Sequence, residues 1–222
     1  DVSGVGTARR YLAACEFGGD KGIFGYGSAP TTSVTNLVSN SGVVATDVTG
    51  VGTVRYSLAA CSYGDDKGIF GYGAPPNTAI TNLVSNVGVV ATDTTGVGTA
   101  RSDLAACEYG DDKAIFGYGW TGSSNVSMTN LVSNVGVVAT DVTGVGTVRQ
   151  TSTACGYGYD KGIFGYGDGS ALSLTNLVSN AGVVATDTTG VGTARAYLAA
   201  CEYGGDKGIF GYGYGASSRS LT

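Results

Sequence analysis

The chain has 222 residues, no histidine and a net charge of −5, with 39 glycines but only 3 prolines. Without histidine it lacks the commonest general base and metal ligand. A negative charge with no cluster of Lys or Arg argues against nucleic acid or an anionic membrane as partner. No apolar run approaches the roughly 18–20 residues that span a bilayer, so membrane insertion is not expected.

Two segments recur along the chain with a shared period of 46 to 48 residues. TNLVSN-x-GVVATD-x-TGVGT-x-R occurs four times, and LAAC-x-x-G-x-DK-x-IFGYG occurs five times with few changes. Such self-similarity indicates an array of one repeated supersecondary unit. We therefore expect one domain over residues 1–222, with units at about 1–46, 47–92, 93–140, 141–186 and 187–222.

Four short strands are predicted in each unit, and residues 50–95 serve as the example. The first strand follows Arg55 in LAACSYG, Asp-Asp-Lys forms a tight turn, and the second strand covers 69–72. ITNLVSN is the third strand, Asn86-Val87-Gly88 is a hairpin turn, and residues 89–92 form the fourth strand. No stretch has helical periodicity, so the chain is predicted to be all-β.

A unit of four short antiparallel strands is typical of a propeller blade. One such sheet cannot bury both of its faces, whereas packing against neighbouring blades buries them. The sequence therefore predicts a five-bladed β-propeller of four-stranded repeats. Because there are five first hairpins but only four second hairpins, the last blade is expected to be incomplete, lacking or borrowing its outer two strands.

Arg-x-x-Leu-Ala-Ala-Cys, a short turn and Asp-Lys-Gly-Ile-Phe-Gly-Tyr-Gly together resemble the first half of a kelch repeat. The resemblance extends over all five units. These open at Arg9, Arg55, Arg101, Arg149 and Arg195. Gly-Tyr-Gly stands where kelch repeats have a glycine pair, and NLVSN and GVVATD replace the outer strands with their Tyr and Trp. The resemblance implies a propeller with the Arg-LAAC strand innermost, but no particular activity, because propellers host many functions.

Each unit has one cysteine at an equivalent position. They are Cys15, Cys61, Cys107, Cys155 and Cys201. An odd number does not suit a disulfide framework, and the close CxxC spacing of zinc sites is absent, so small buried residues are expected rather than a metal ring. Free thiols favour an intracellular or virion setting, although the compartment stays open.

The repeat Arg and the Asp before each Lys are predicted to pair, either between units or within turns, because partly buried charge is normally paired. These aspartates are Asp20, Asp66, Asp112, Asp160 and Asp206. The alternative is a ring of Arg around a channel that captures an anion. An enzyme is disfavoured, since no Ser-His-Asp or Cys-His set can be made without histidine, and neither a catalytic residue nor a cofactor is predicted.

Function is expected where the near-identical copies differ. One variable tract is the pair of residues after each repeat Arg, and the other is the loop after Gly-Tyr-Gly, which contains Trp120 in the third unit. In kelch-type rings the first tract lies at the channel mouth, where peptides dock. The candidate site residues are Arg10, Tyr11, Tyr56, Ser57, Ser102, Asp103, Gln150, Thr151 and Tyr197. Neutral drift at exposed positions is the alternative explanation.

The favoured function is a non-catalytic binding or scaffold module that docks a protein or peptide on one face, since Tyr, Arg and Asp are typical of recognition surfaces. The first alternative is a carbohydrate-binding propeller, in which Tyr and Trp stack on sugars. The second is a structural repeat of a larger fibre, virion or surface protein. Near-identical tandem copies are typical of such proteins, in which the chain would be part of a larger assembly or an oligomer.

Overall fold

The computed structural model describes residues 4–168, 171–190 and 192–215, and within them the chain is all-β, with no helix. Its strands form five antiparallel sheets in chain order. Sheets 1 to 4 have three strands each, and sheet 5 has two within the described residues. The predicted all-β class is therefore confirmed, with each sheet corresponding to one sequence repeat.

The first strand of each sheet contains the repeat cysteine. These strands are β1 (Ala13–Phe17), β4 (Ala59–Tyr63), β7 (Ala105–Tyr109), β10 (Thr153–Tyr157) and β13 (Ala199–Tyr203). The middle strands are β2 (Lys21–Gly25), β5 (Lys67–Gly71), β8 (Lys113–Gly117), β11 (Lys161–Gly167) and β14 (Lys207–Gly211). The third strands are β3 (Thr35–Val38), β6 (Thr81–Val84), β9 (Thr129–Val132) and β12 (Leu172–Val178).

The predicted turn between the first two strands is present. In sheet 2, Gly64 and Asp65 both adopt positive φ, +59° and +68°, and the Asp66 carboxylate accepts hydrogen bonds from Lys67 Nζ at 2.6 Å and Asn86 Nδ2 at 3.0 Å. The expectation that this aspartate fixes a turn is therefore confirmed. Its partners are the next lysine and the Asn of the following hairpin turn, not the repeat Arg.

The predicted fourth strand is replaced by a segment that touches the third strand at two isolated bridges. In sheet 1 these are Val38 with Val44 and Thr35 with Val48. Between them the side-chain amide of Asn36 donates to the Ala45 carbonyl at 3.1 Å. In a regular ladder a backbone N–H of the third strand would donate to such a carbonyl. The side chain thus interrupts the ladder, and the four-stranded prediction is corrected to three strands plus a bridged segment.

Each of sheets 1 to 4 ties its two ends together through a Thr–Asp clamp. In sheet 2, the Thr53 hydroxyl before β4 donates to Asp93 Oδ2 after β6 at 2.7 Å, and the Thr53 N–H donates to the same carboxylate at 3.1 Å. Burial raises the pKa of Asp93, but the hydrogen bonds from Thr53 and Asn82 outweigh it and hold the pKa below its usual value. The clamp therefore favours a charged carboxylate at neutral pH.

Consecutive sheets pack by seating an aromatic side chain of one sheet over a glycine of the sheet before it. A Cβ on Gly71 would lie 2.6 Å from Phe116 Cζ, so only glycine fits beneath that ring. The Phe116 ring meets Tyr72 edge-on with centroids 5.2 Å apart, and the Arg101 guanidinium lies 4.3 Å from the Tyr72 centroid. Equivalent Phe–Tyr pairs recur at the other three interfaces, although the pair between sheets 4 and 5 is tilted rather than edge-on. The buried hydrophobic residues form one cluster at each of the first three interfaces.

The repeat Arg is buried between sheets and pairs with fixed oxygen atoms. Arg101 is fully buried, and its guanidinium donates to the Tyr118 carbonyl at 2.9 Å, the Thr99 carbonyl at 3.1 Å and Asn130 Oδ1 at 2.7 Å. The predicted pairing of Arg with the turn aspartate is therefore wrong. An Arg ring that captures anions is not supported either, because Arg55, Arg101, Arg149 and Arg195 are buried and no repeat Arg lines either cavity that draws on all five sheets.

The two outer faces of the array lack this cover. Phe24 of sheet 1 is 38% exposed, and Tyr212 of sheet 5 is 58% exposed, whereas their counterparts in sheets 2 to 4 are at most 8% exposed. A Cβ on Gly211 would meet nothing within 4 Å. The prediction of an incomplete last blade depends on residues 216–222, which lie outside the described residues.

Candidate functional site

The second residue of each variable pair adopts the left-handed backbone conformation. Their φ values are between +51° and +57°. The five are Tyr11, Ser57, Asp103, Thr151 and Tyr197. This conformation costs a non-glycine residue about 1–2 kcal/mol, and it is an outlier for a β-branched residue such as Thr151. All five sheets accept this strain whichever side chain is present, which marks the position as structurally special.

These strained residues form a belt of backbone hydrogen bonds from sheet to sheet. The N–H of Ser57 donates to the Tyr11 carbonyl at 3.0 Å, and the N–H of Asp103 donates to the Ser57 carbonyl at 2.9 Å. The N–H of Thr151 then donates to the Asp103 carbonyl at 2.8 Å, and that of Tyr197 to the Thr151 carbonyl at 3.2 Å. The belt fixes the spacing of five different side chains on a rigid support.

The first residue of each pair bridges to the first residue of the loop after Gly-Tyr-Gly. The bridged pairs are Arg10 with Ser28, Tyr56 with Ala74, Ser102 with Trp120, Gln150 with Asp168 and Ala196 with Tyr214. The sequence treats the two variable tracts as separate, but the structure places them side by side. Variation among the copies is thus concentrated on one face, which we call the variable face.

A cavity of about 250 Å³ lies at this face and draws residues from all five sheets. We call it the variable cavity. The belt residues Tyr11, Ser57, Asp103, Thr151 and Tyr197 line it. So do the residues that follow each of them, namely Leu12, Leu58, Leu104, Ser152 and Leu198. Its lining therefore combines an apolar set that is nearly the same in all sheets with a polar and aromatic set that differs in each.

Of the nine candidate site residues, the structure brings five together in the variable cavity. Arg10, Tyr56, Ser102 and Gln150 do not line the cavity but lie beside it in the bridged pairs. The centroid of the Tyr56 ring lies 6.2 Å from that of Tyr11, which lines the cavity. Ser102 is buried, at 4% exposure, and its hydroxyl donates to Asp103 Oδ2 at 3.1 Å, so it supports that carboxylate and is unavailable to a partner.

Ser152 is a site residue that the sequence analysis missed. It stands where the other four copies have Leu. The same unit also has Thr153 where the other copies have Ala, and Gly156 where they have Glu or Ser. Ser152 and Thr151 are each only 9% exposed, and neither hydroxyl has a hydrogen-bonding partner in the part of the chain that the structure describes. Aligning the five copies residue by residue beyond the variable pair would have found it.

A second cavity, of about 260 Å³, is lined by the cysteines and the residues beside them, and we call it the thiol cavity. Burial raises the pKa of the Cys15 thiol to about 12 and that of Cys155 to about 11. Cys201 is exposed and Cys15 is partly exposed, so the prediction of a buried position is wrong for Cys201, which no further sheet covers among the described residues, and holds only in part for Cys15. The sequence analysis also missed the acidic side chains here. They are Glu16, Glu108 and Glu202.

Glu108 is the most constrained of these carboxyl groups. Burial raises its pKa, the Ser62 hydroxyl lowers it in part, and the negative charges of Glu16 and Glu202 raise it further. Within residues 4–168, 171–190 and 192–215, no group of three or more acidic or thiol side chains has a geometry that could hold a metal ion. Nor does that part of the chain contain a helix long and apolar enough to cross a membrane.

Comparison with known proteins leaves the structure as the main guide to function. The chain matches no protein-family model, and no curated protein matches it either.

Proposed function

We propose that the chain is a non-catalytic binding module, a five-bladed kelch-like β-propeller that docks a protein or peptide on its variable face. The observation that carries this proposal is the meeting of both variable tracts on one face, around a cavity drawn from all five sheets. Copied residues present the same chemistry five times, whereas an asymmetric partner needs different groups in different blades. The belt supplies such groups on a fixed backbone.

The arrangement of the five sheets supports the propeller part of the proposal. The first strands of consecutive sheets are neighbours, and both cavities take lining residues from every sheet. In each of the same five segments, residues only a few positions apart line the two cavities, which is what a common axis would produce. A ring of small antiparallel sheets around a central channel is the propeller architecture.

The chemistry of the variable face suits a peptide. Tyr11 and Tyr197 are 50% and 57% exposed, and they offer rigid apolar area with a hydroxyl. Arg10 is exposed as well, while Asp103 supplies a carboxylate inside the cavity. Charges of both signs between aromatic anchors can select one orientation of a chain that carries both backbone amides and side chains.

The test is to select binders from a displayed peptide library with the full chain and to compare two double variants. In the first, Tyr11→Asn and Tyr197→Asn remove the aromatic anchors, with Asn chosen because it tolerates positive φ. In the control, Val87→Ala and Val135→Ala change two residues that are each 70% exposed in the hairpin turns. We expect the selected peptides to lose binding to the first variant only. Equal binding to both variants, or no selectable peptide, would count against the proposal.

A carbohydrate partner is the second candidate, and one observation favours it. Tyr214 is 60% exposed and is bridged to Ala196, next to Tyr197, so two exposed aromatic rings lie on neighbouring segments of the variable face. Flat aromatic rings can stack on the apolar face of a sugar. A glycan array probed with the same preparation separates the candidates, because a lectin would lose its glycan signal in a Tyr197→Asn, Tyr214→Asn variant while selecting no peptide.

A further inference from the structure

The variable cavity has a polar sector built from sheets 3 and 4. Asp103 and Thr151 are joined by a backbone hydrogen bond of 2.8 Å, so their side chains start from adjacent points of the cavity wall. Ser152 follows Thr151 in the same wall. The part of the lining from sheets 1 and 2 consists of Tyr11, Leu12, Ser57 and Leu58. The cavity therefore has a polar side and a largely apolar side.

The two hydroxyls of the polar sector lack partners. Thr151 Oγ1 and Ser152 Oγ are buried and form no hydrogen bond within the described part of the chain. Leaving a buried polar group unsatisfied is unfavourable, and at residue 152 the other four copies avoid it with leucine. Both residues line the variable cavity, so a group bound there is the candidate partner for the two hydroxyls.

The charges around the cavity indicate the sign of that group. Asp103 is the charged residue among those that line the cavity, and no Lys or Arg joins it there within the described residues. Burial raises the pKa of the Tyr197 hydroxyl, and the negative charges of Asp103 and Asp168 raise it further. Arg10 lies beside the cavity at Tyr11, with its guanidinium 5.4 Å from the centroid of that ring, so the positive charge is on the side of sheet 1 and the negative potential is on the side of Asp103. A cationic group is favoured over a neutral or anionic one.

The shape of the lining then narrows the kind of cation. Four leucines lie beneath the belt, and apart from Leu12 they are buried, at 6 to 8% exposure. Methylene groups gain free energy against such a surface, at about 25 cal/mol per Å² buried. A primary ammonium has three N–H donors, which matches one carboxylate and two hydroxyls. A guanidinium is a planar fork with five donors, and it suits this set less well.

We infer that the variable cavity binds a primary ammonium group on an unbranched alkyl chain, namely the side chain of a lysine in the docked peptide. The ammonium lies in the polar sector, between the Asp103 carboxylate and the hydroxyls of Thr151 and Ser152. The methylenes of the side chain lie against the leucines. This inference rests on the proposed peptide-docking function and gives the anchor residue of that peptide.

The direct test uses n-pentylamine, a mimic of the lysine side chain, titrated into the full chain by calorimetry, with pentan-1-ol as the uncharged mimic. We expect saturable one-to-one binding of the amine at pH 7 and at least about 10-fold weaker binding of the alcohol, since hydrogen bonds to charged groups are the stronger ones. Binding should disappear above about pH 10.4, where the ammonium loses its proton. Equal binding of amine and alcohol would overturn the inference.

The repeat supplies matched variants. Ser152→Leu installs the residue that four copies already have, and it should fold normally and weaken amine binding by about 10-fold or more, as should Asp103→Asn. Thr153→Ala also restores the residue of the other copies, but Thr153 is not among the residues that line the cavity, so amine binding should not change. If Ser152→Leu fails to fold, Ser152→Ala takes its place. Unchanged affinity in both Asp103→Asn and the Ser152 variant would refute the inference.

The peptide selection separates failure of this inference from failure of the proposed function. A selected peptide whose lysines are replaced by norleucine should lose binding if the ammonium is the anchor. If the norleucine peptide binds equally well and still depends on Tyr11 and Tyr197, docking stands and the ammonium inference is wrong. If pentylamine binds but no peptide is selected, the cavity chemistry stands and peptide docking fails.

Discussion

The interface between sheets 2 and 3 and the two outer faces of the array consist of the same residues in different surroundings. Phe116 is fully buried over Gly71, whereas Phe24, its copy in sheet 1, is 38% exposed. Ile69 and Tyr72 are fully buried, while their copies Ile209 and Tyr212 are 51% and 58% exposed. Identical residues in different repeats therefore have different solvent exposure, because exposure depends on whether a neighbouring sheet covers the residue.

This difference shows how the array obtains its stability. A single sheet of short strands buries little by itself, and each added neighbour buries one more Phe–Tyr–Arg contact. Interior substitutions should consequently cost far more than the same substitutions at the ends. The repeats supply matched pairs of positions with which to measure this directly.

The largest expected effect is loss of the interior aromatic ring. Phe116→Ala should destabilise the chain by about 3–5 kcal/mol, because it removes a fully buried ring and leaves a cavity. Phe24→Ala should cost about 1 kcal/mol or less, since its ring is partly in solvent. Urea denaturation of both variants measures the difference. Equal costs would mean that another face covers Phe24, as in a ring closed between sheets 5 and 1.

The next effect should differ in sign between the two regions. Gly71→Ala places a Cβ 2.6 Å from Phe116 Cζ and should destabilise by about 1–3 kcal/mol through overpacking. Gly211→Ala meets nothing within 4 Å, so it should stabilise by about 0.5–1 kcal/mol by restricting the unfolded chain. The midpoints of thermal unfolding should move in opposite directions. A destabilising Gly211→Ala would instead point to a Phe side chain seated on Gly211.

A smaller effect should be the same in both regions, because the Thr–Asp clamp lies within one sheet. Hydrogen bonds from Thr7 and Asn36 lower the pKa of Asp47, and the bonds of Thr53 and Asn82 outweigh burial at Asp93. A carboxyl whose folded pKa is depressed stabilises the fold above the ordinary value of 3.8 and loses that contribution as the pH falls through the folded pKa.

Asp47→Asn and Asp93→Asn should therefore flatten the loss of stability in acid to the same degree, as followed by urea unfolding between pH 2 and pH 7. Asp65→Asn, at an exposed turn position, is the matched control and should change the acid profile little. Unequal effects at residues 47 and 93 would show that the clamp depends on neighbouring sheets as well.

Thiol labelling compares the regions without changing stability. Cys61 and Cys107 are buried, and burial raises the pKa of Cys61 well above its ordinary value. Cys201 is exposed and should react first with a thiol reagent. Cys61 and Cys107 should react only when local unfolding exposes their thiols. Mass spectrometry of briefly labelled protein distinguishes the sites. Slow labelling of Cys201 would show that sheet 5 is covered in solution.

Local features of the fold were predictable because their causes are local. The strands around Cys61 and Ile69 follow from alternation and β-branched residues, and the turn at Gly64 and Asp65 follows from residues that tolerate positive φ. The fourth strand was not predictable, because Val89 and Val90 have strand propensity, and what interrupts the ladder is the side chain of Asn82, which donates to the Ala91 carbonyl at 3.0 Å.

The candidate site was predictable in part for a similar reason. Comparing the copies identified the variable pairs, and thus Tyr11, Asp103 and Thr151. It did not show that the first and second residues of each pair occupy different places in the structure. The second member lines the cavity and the first bridges to the loop. That division depends on the left-handed backbone at the second position, which the variable side chains conceal.

The sequence by itself determined the repeat, the strands, the hairpin turns and the all-β class, since periodicity and turn chemistry act over a few residues. The tertiary structure alone decided which copies are buried and where the two variable tracts meet. It also decided that the repeat Arg stacks on a tyrosine of the preceding sheet and lies 3.9 Å from the clamp aspartate Asp141, rather than pairing with the turn aspartate. These outcomes depend on contacts between residues about one repeat apart, and the energy of such a contact exists only once the neighbouring sheet is in place.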